Sequence, residues 1–155
     1  MQAGRNHGKW SKISSMVTIS KATKKDILGW NMDEWHKVDL THYGKDAKWN
    51  EKKFKFKAVE DGKLLGYLLG KHEAGVIYIE SLITLEDVRG KGIGTMLVNE
   101  AEKFGKKLGA HRIWLVTGKD WPENAFYLKL GFINIGTLPD LYYHTDFVIY
   151  SKPIK

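Results

Sequence analysis

From residue 53 onward the chain alternates: Lys53, Lys55 and Lys57 interleave with Phe54, Phe56 and Ala58. This is the two-residue period of a strand with one face in a core and the other in water. Asp61-Gly62 then turns the chain, residues 64–69 make a second strand, Glu73-Ala74-Gly75 a second turn, and residues 76–84 a third strand rich in β-branched residues and tyrosine. The three predict an antiparallel meander. At Gly92 the period changes to three and four, and Ile93, Leu97, Ala101, Phe104 and Leu108 fall on one stripe of a helix that stops near Gly109. A short apolar strand at 113–116 follows this helix directly, which predicts that it lies parallel to the strand before it.

Patterns are weaker at both ends. Val17-Thr18-Ile19 alternates like a short first strand, and Thr23 followed by Lys24, Lys25 and Asp26 reads as a helix start. Residues 30–50 hold Trp30, Trp35, Trp49, Tyr43, His36 and His42 among alternating charges with weak helical spacing, which predicts irregular structure. Asp120 and Glu123 have capping-box spacing, Pro122 suits a first helical turn and Gly131 a stop, predicting a short helix over 121–130. Residues 132–135 and 144–150 read as two late strands, a hairpin with Pro139-Asp140 in its long connection. The order β-α-(α)-β-β-β-α-β-α-β-β predicts the α/β (α+β) class: a mixed, mostly antiparallel sheet of six or seven strands with helices on both faces.

A chain of 155 residues suits one domain, read here as 16–155. Residues 1–15, rich in Gly, Ser and Asn and without periodicity, read as a disordered extension or a tag. There is no cysteine, which excludes disulfides, thiolate zinc sites and a cysteine nucleophile. His36, His42 and His144 are not spaced as a metal set. No apolar run approaches the roughly 20 residues of a membrane helix, and no secretory signal is evident, so the expectation is a soluble cytoplasmic protein with no membrane partner. Of the formal charge of +7, Arg5, Lys9 and Lys12 supply +3, leaving +4 for the rest. Such a mild surplus fits a ligand with several phosphate groups as well as it fits nucleic acid. Alternating lysines at 53–57 mark an exposed edge strand more readily than a nucleic-acid motif, and nucleic acid is disfavoured as a partner.

The turn Arg89-Gly90-Lys91-Gly92-Ile93-Gly94 sits between a predicted strand and a predicted helix. Glycines let the backbone approach a ligand closely, and the first N–H groups of a helix lack internal partners and carry partial positive charge. Together they make a phosphate cradle. A Walker loop would need Gly-Lys-Ser/Thr, and a dinucleotide fingerprint G-x-G-x-x-G, whereas Gly90, Gly92 and Gly94 are spaced G-x-G-x-G. A tight helix entry with glycines for packing is the plain alternative.

Arg89-Gly90-Lys91-Gly92-Ile93-Gly94 resembles the R/Q-x-x-G-x-G/A signature of the GNAT acetyltransferases, and 124–132, Asn-Ala-Phe-Tyr-Leu-Lys-Leu-Gly-Phe, resembles that family's later segment. The resemblance covers about 17–150. It implies an acetyl-CoA-dependent N-acetyltransferase acting on a small-molecule amine or a peptide or protein amine by direct attack in a ternary complex. It implies that the backbone of 89–94, with Arg89, Lys91 and Thr95, holds the pyrophosphate, and that Leu82, Ile83 and Thr84 pair with the pantetheine arm beside a splay between the strands ending near Thr84 and Val116. A homodimer is compatible with it. Asp120 stands where many members carry asparagine, so one coenzyme contact is altered.

Acetyl transfer needs a base for the amine, a donor for the oxyanion and an acid for the leaving thiolate. By the resemblance Tyr127 is the acid, a phenol of ordinary pKa about 10; a core aromatic is the alternative. Glu80, inside a β-branched strand, is the candidate base, acting directly or through water, with cross-strand pairing to Lys53–57 as the alternative. Asn124 contacts the coenzyme or caps its own helix. Trp30, Trp35, Glu80 and Tyr143 are the candidate acceptor residues, although the aromatics also suit a core. A non-catalytic acetyl-CoA sensor keeps the same cradle.

Overall fold

The computed structural model describes residues 17–155, so the extension read at 1–15 lies outside the described residues. The chain divides into two compact units between Ala47 and Lys48. In the first, helix α1 spans Lys24–Tyr43. Thr23 caps it: its backbone N–H donates to the Asp26 carboxylate at 2.7 Å and the Asp26 N–H returns to the Thr23 hydroxyl at 3.4 Å. Gly44, in the left-handed region at φ 66°, closes it. One helix of 20 residues thus replaces most of the irregular stretch expected over 30–50. No proline interrupts it, and local pairs such as Lys37–Glu34 at 2.6 Å run along its surface. Ile27, Leu28, Met32, Trp35 and Leu40 are exposed, so no apolar stripe announced it. Residues 17–20 are irregular and exposed, and the strand expected at 17–19 is not formed. Three alternating residues outside a ladder do not hold a strand.

The second unit is a six-stranded sheet: β1 Lys52–Glu60, β2 Lys63–Glu73, β3 Val76–Thr84, β4 Arg112–Gly118, β5 Ile133–Tyr142 and β6 Thr145–Pro153, in the order β1-β2-β3-β4-β6-β5. Every pairing is antiparallel except β3 with β4, which is parallel as the intervening helix predicted. Lys53, Lys55 and Lys57 are exposed on the edge strand β1. Helix α2, Ile93–Lys107, buries Leu97, Val98, Ala101 and Gly105. Leu97, Val98 and Ala101 join Leu68, Ile77, Ile79, Ile113 and Leu115 in one core. Each fully buried aliphatic side chain there contributes about 1.5–3 kcal/mol. Gly105 lets the helix close on the sheet, because a Cβ there would stand 2.6 Å from Ile77 Cγ1.

Two late elements differ from expectation. Helix α3 is only Asn124–Lys129, and the Asp120/Glu123 capping box does not form: Glu123 is itself helical and makes no side-chain cap. Asn124 takes over, its amide lying 2.9, 3.0 and 2.6 Å from the carbonyls of Gly118, Lys119 and Trp121. The last hairpin has no long connection. Pro139 and Asp140 lie inside β5, where an edge strand tolerates a missing donor, and the chain reverses at Tyr143-His144, both left-handed at φ 51° and 57°.

Candidate functional site

Parallel pairing of β3 with β4 runs from Val76↔Arg112 to Ile79↔Leu115 and stops, although β3 continues to Thr84 and β4 to Gly118. The cause is visible on the other edge of β3. Leu69 faces Ser81 and Gly70 faces Ile79, which leaves Glu80 as the extra residue of a β-bulge. A bulge bends and over-twists its strand. Beyond it, Leu82, Ile83 and Thr84 pair with Leu68, Tyr67 and Gly66 on one edge and have lost β4 on the other. The strands part where the sequence placed the splay.

From Thr84 the chain passes a single 3-10 turn, Glu86–Val88, and enters α2 through Gly90 and Gly92, both left-handed at φ 77° and 84°. Open space stands over both, since an added Cβ would meet nothing within 4 Å. The N–H groups of Arg89, Lys91 and Met96 donate to the carbonyls of Glu86, Val88 and Gly92. Those of Gly90, Gly92, Ile93, Gly94 and Thr95 have no acceptor among the described residues. The positive end of a helix of 15 residues is therefore lined with unclaimed donors.

The cradle and the splay are two parts of one cleft of about 660 Å³. Leu82, Ile83 and Thr84 form one wall; Arg89, Gly90, Gly92, Ile93, Gly94 and Thr95 form the cradle; Trp121, Phe126 and Tyr127 close the far side. Tyr127 is the buried residue of α3. Its ring packs against Phe126, Phe132 and Tyr150 at centroid distances of 5.1, 5.9 and 5.8 Å. It belongs to the core and to the cleft at once. Burial, and next the charge of Glu123, push its phenol up to about 12. Lys152 braces the end of α3, pairing with Glu102 of α2 at 2.5 Å and donating to the Leu130 carbonyl at 2.9 Å.

Residues 24–132 match the model of the acetyltransferase (GNAT) family. The chain belongs to that family. Streptothricin acetyltransferase of Streptomyces lavendulae is 34% identical over 92 residues, covering 55% of this chain and 47% of that protein. The chain thus spans about half the length of this curated relative. An acetyltransferase from Bacillus cereus shares the fold at 23% identity, with 90% of this chain and 99% of that one covered and a TM-score of 0.68. A Bacillus anthracis acetyltransferase solved in complex with acetyl coenzyme A does so at 21% identity, 65% and 62% coverage and a TM-score of 0.60.

GNAT acetyltransferases use acetyl-CoA, and the residues here suit it. Unclaimed N–H donors and Arg89 answer a pyrophosphate, and the apolar wall of Leu82, Ile83 and Phe126 answers a narrow acyl-carrying arm. Six residues expected at the site fall outside the cleft lining. Lys91 is exposed and its N–H is used within the turn, and Asn124 spends its amide on holding the 118–121 loop. Glu80 is exposed at the bulge rather than in the cleft, and the bulge breaks the alternation that would have put it on the face of Leu82. Tyr143 is 99% exposed at the hairpin turn. Trp35 is exposed on α1, and Trp30 is also on that helix, in the other compact unit. Sequence reasoning missed Thr117, Trp121 and Phe126. Gly118 was the available signal for Trp121: a Cβ there would lie 2.3 Å from the indole, so only glycine admits the ring.

Proposed function

We propose that the chain is an acetyl-CoA-dependent N-acetyltransferase that passes an acetyl group to a primary amine by direct attack in a ternary complex. One observation carries this reading: a cradle of unclaimed N–H donors opens straight onto a strand splay whose far wall is a buried, protonated phenol. The donor supplies an activated acetyl group as a thioester. Gly90, Gly92, Ile93, Gly94 and Thr95 hold its phosphates with Arg89, and the free edge of Leu82 to Thr84 aligns its arm. Backbone N–H groups on that edge polarise the acetyl carbonyl.

Tyr127 faces the leaving sulfur. Its pKa of about 12 stands well above about 8.5 for a cysteine-like thiol. Full proton transfer to the thiolate is uphill by about 3.5 units, or about 5 kcal/mol. We therefore assign Tyr127 a hydrogen bond that stabilises the developing thiolate, with solvent or the acylated amine completing the proton balance. Glu80, exposed at the mouth of the splay, receives the amine proton through water. Acceptors of this class include small-molecule and peptide or protein amines; similarity to a streptothricin acetyltransferase favours a small molecule.

Two measurements test the reading: thermal shift with coenzyme A alone, and release of free thiol from acetyl-CoA across an amine panel. Stabilisation by coenzyme A with turnover on at least one amine is expected. Tyr127→Phe then lowers kcat by about 100-fold or more, the scale of losing one transition-state donor. Absence of any coenzyme-dependent stabilisation overturns the reading. Stabilisation with no turnover on any amine makes the protein an acetyl-CoA-binding domain instead.

A further inference from the structure

The core side of β3 and β4 is set by Ile77, Ile79, Ile113 and Leu115. Alternation therefore puts Tyr78 and Trp114 on the opposite face, where they are register partners and stack at 4.3 Å between centroids with planes 29° apart. They occupy the last rung but one before the strands part. Glu80, the bulge residue, follows at once. On the other side the β5–β6 hairpin outruns β4: the β4 ladder ends at Gly118↔Phe147, whereas the hairpin continues to Tyr142↔Thr145. Tyr142 meets Phe147 edge-on at 5.1 Å, and Phe147 meets the cleft residue Trp121 at 5.5 Å. Trp114 pairs with Ser151 and Gly118 with Phe147, so alternation puts Phe147, and Tyr142 against it, on the same face as Tyr78 and Trp114. Burial raises the pKa of the Tyr78 phenol, and the charges of Tyr142 and Glu80 raise it further. Lys71 is also near but is engaged by Glu51 at 2.8 Å and Glu73 at 3.4 Å.

We propose that Tyr78, Trp114, Tyr142 and the Glu80 carboxylate form a recognition wall for a second nitrogen of the acceptor that stays protonated while the first one reacts. The inference rests on the acetyltransferase reading above. An attacking amine must be neutral when it reacts, having passed its proton through water to Glu80, so aromatic faces do not reward the reacting nitrogen itself. They reward one that stays cationic beside it. The acceptor class is a small amine with at least two basic nitrogens. Specificity then resides at the mouth of the splay away from the phosphate cradle, and the donor and acceptor walls diverge at the same bulge.

The test compares 1,5-diaminopentane with pentylamine, matched in length and differing in the second charge. Calorimetric titration of the coenzyme A complex is expected to give at least fivefold tighter binding of the diamine, the scale of one partly desolvated cation–aromatic contact. Tyr142 is 61% exposed, so Tyr142→Ala is expected to fold, which far-UV circular dichroism verifies. It should raise KM for the diamine about fivefold, more than it lowers kcat, and bring the two amines together. Equal affinity for the two amines, or a diamine preference unchanged in Tyr142→Ala, overturns the wall. Failure of the enzyme reading looks different: no coenzyme A shift and no turnover on any amine. In that case, titration of the diamine and pentylamine into the free protein still decides the wall by the same criteria.

Discussion

Tyr127 ties stability to alkaline pH in a way that can be worked out in advance. Its folded pKa is about 12 because burial, and then Glu123, disfavour the phenolate; in an unfolded chain it is about 10. A raised folded pKa means that the neutral phenol is the form the fold prefers. The associated stability is fully present below pH 10 and is lost as pH climbs from 10 through 12. Two units correspond to about 3 kcal/mol in total. At pH 11 the loss is about 1 kcal/mol relative to pH 9, because the unfolded phenol is then about nine-tenths ionised and the folded one about one-tenth. Urea unfolding of the wild type and Tyr127→Phe at both pH values isolates this one group, since the lysines and the other tyrosines titrate in both proteins. Phe keeps the ring contacts with Phe126, Phe132 and Tyr150. The wild type should lose about 1 kcal/mol more than the variant between pH 9 and pH 11. Parallel behaviour within about 0.3 kcal/mol would refute the burial argument, and phenolate absorbance appearing for this residue near pH 10 would do so directly.

Gly92 has φ 84° at the entry to α2. Gly92→Ala should cost about 1–2 kcal/mol in urea unfolding, and it should weaken coenzyme A in calorimetry because the new methyl enters the open cradle; unchanged affinity would mean that the cradle is not where the phosphates sit. Asn124→Ala removes the amide that approaches three carbonyls of the 118–121 loop. It should lower stability by about 1–3 kcal/mol, and Asn124→Asp, which keeps the shape but cannot donate, should not rescue it in a thermal melt.

How much the sequence revealed depended on what each element packs against. The meander, α2 and the parallel strand were legible because each has one buried face, and Phe54, Leu68, Ile77, Leu97 and Ile113 write that face into the period. Helix α1 was not, because Ile27, Leu28, Met32 and Trp35 are exposed around it and its formation is local, through the Thr23–Asp26 box and the absence of proline. The glycine cradle was legible from composition and position together. Tyr127 was singled out by the family resemblance and not by periodicity, with a core aromatic as the alternative; a helix of six residues wedged beside Phe132 and Tyr150 makes it part of the core while it also lines the cleft. Pro139 misled because a proline usually ends a strand, and only the sheet order reveals that β5 is an edge.

The bulge at Glu80 was invisible for a different reason, and it is the feature on which the site turns. In the sequence, Ile77, Ile79, Ser81 and Ile83 continue one alternation without a break. In the fold, Ile79 is buried, Ile83 is half exposed, and Leu82 is the one that packs against the core. One added residue has moved the inward parity from odd to even numbers. Without that shift, Ile83 rather than Leu82 would continue the core face and β3 would stay paired with β4, closing the slot between them. With it, the same strand keeps an apolar edge toward the cleft and sends a carboxylate out at the point where the strands part. Deleting Glu80 would therefore do more than remove a charge. It should restore the straight ladder beyond Ile79 and abolish coenzyme binding, whereas Glu80→Gln should retain binding and alter only turnover and acceptor affinity.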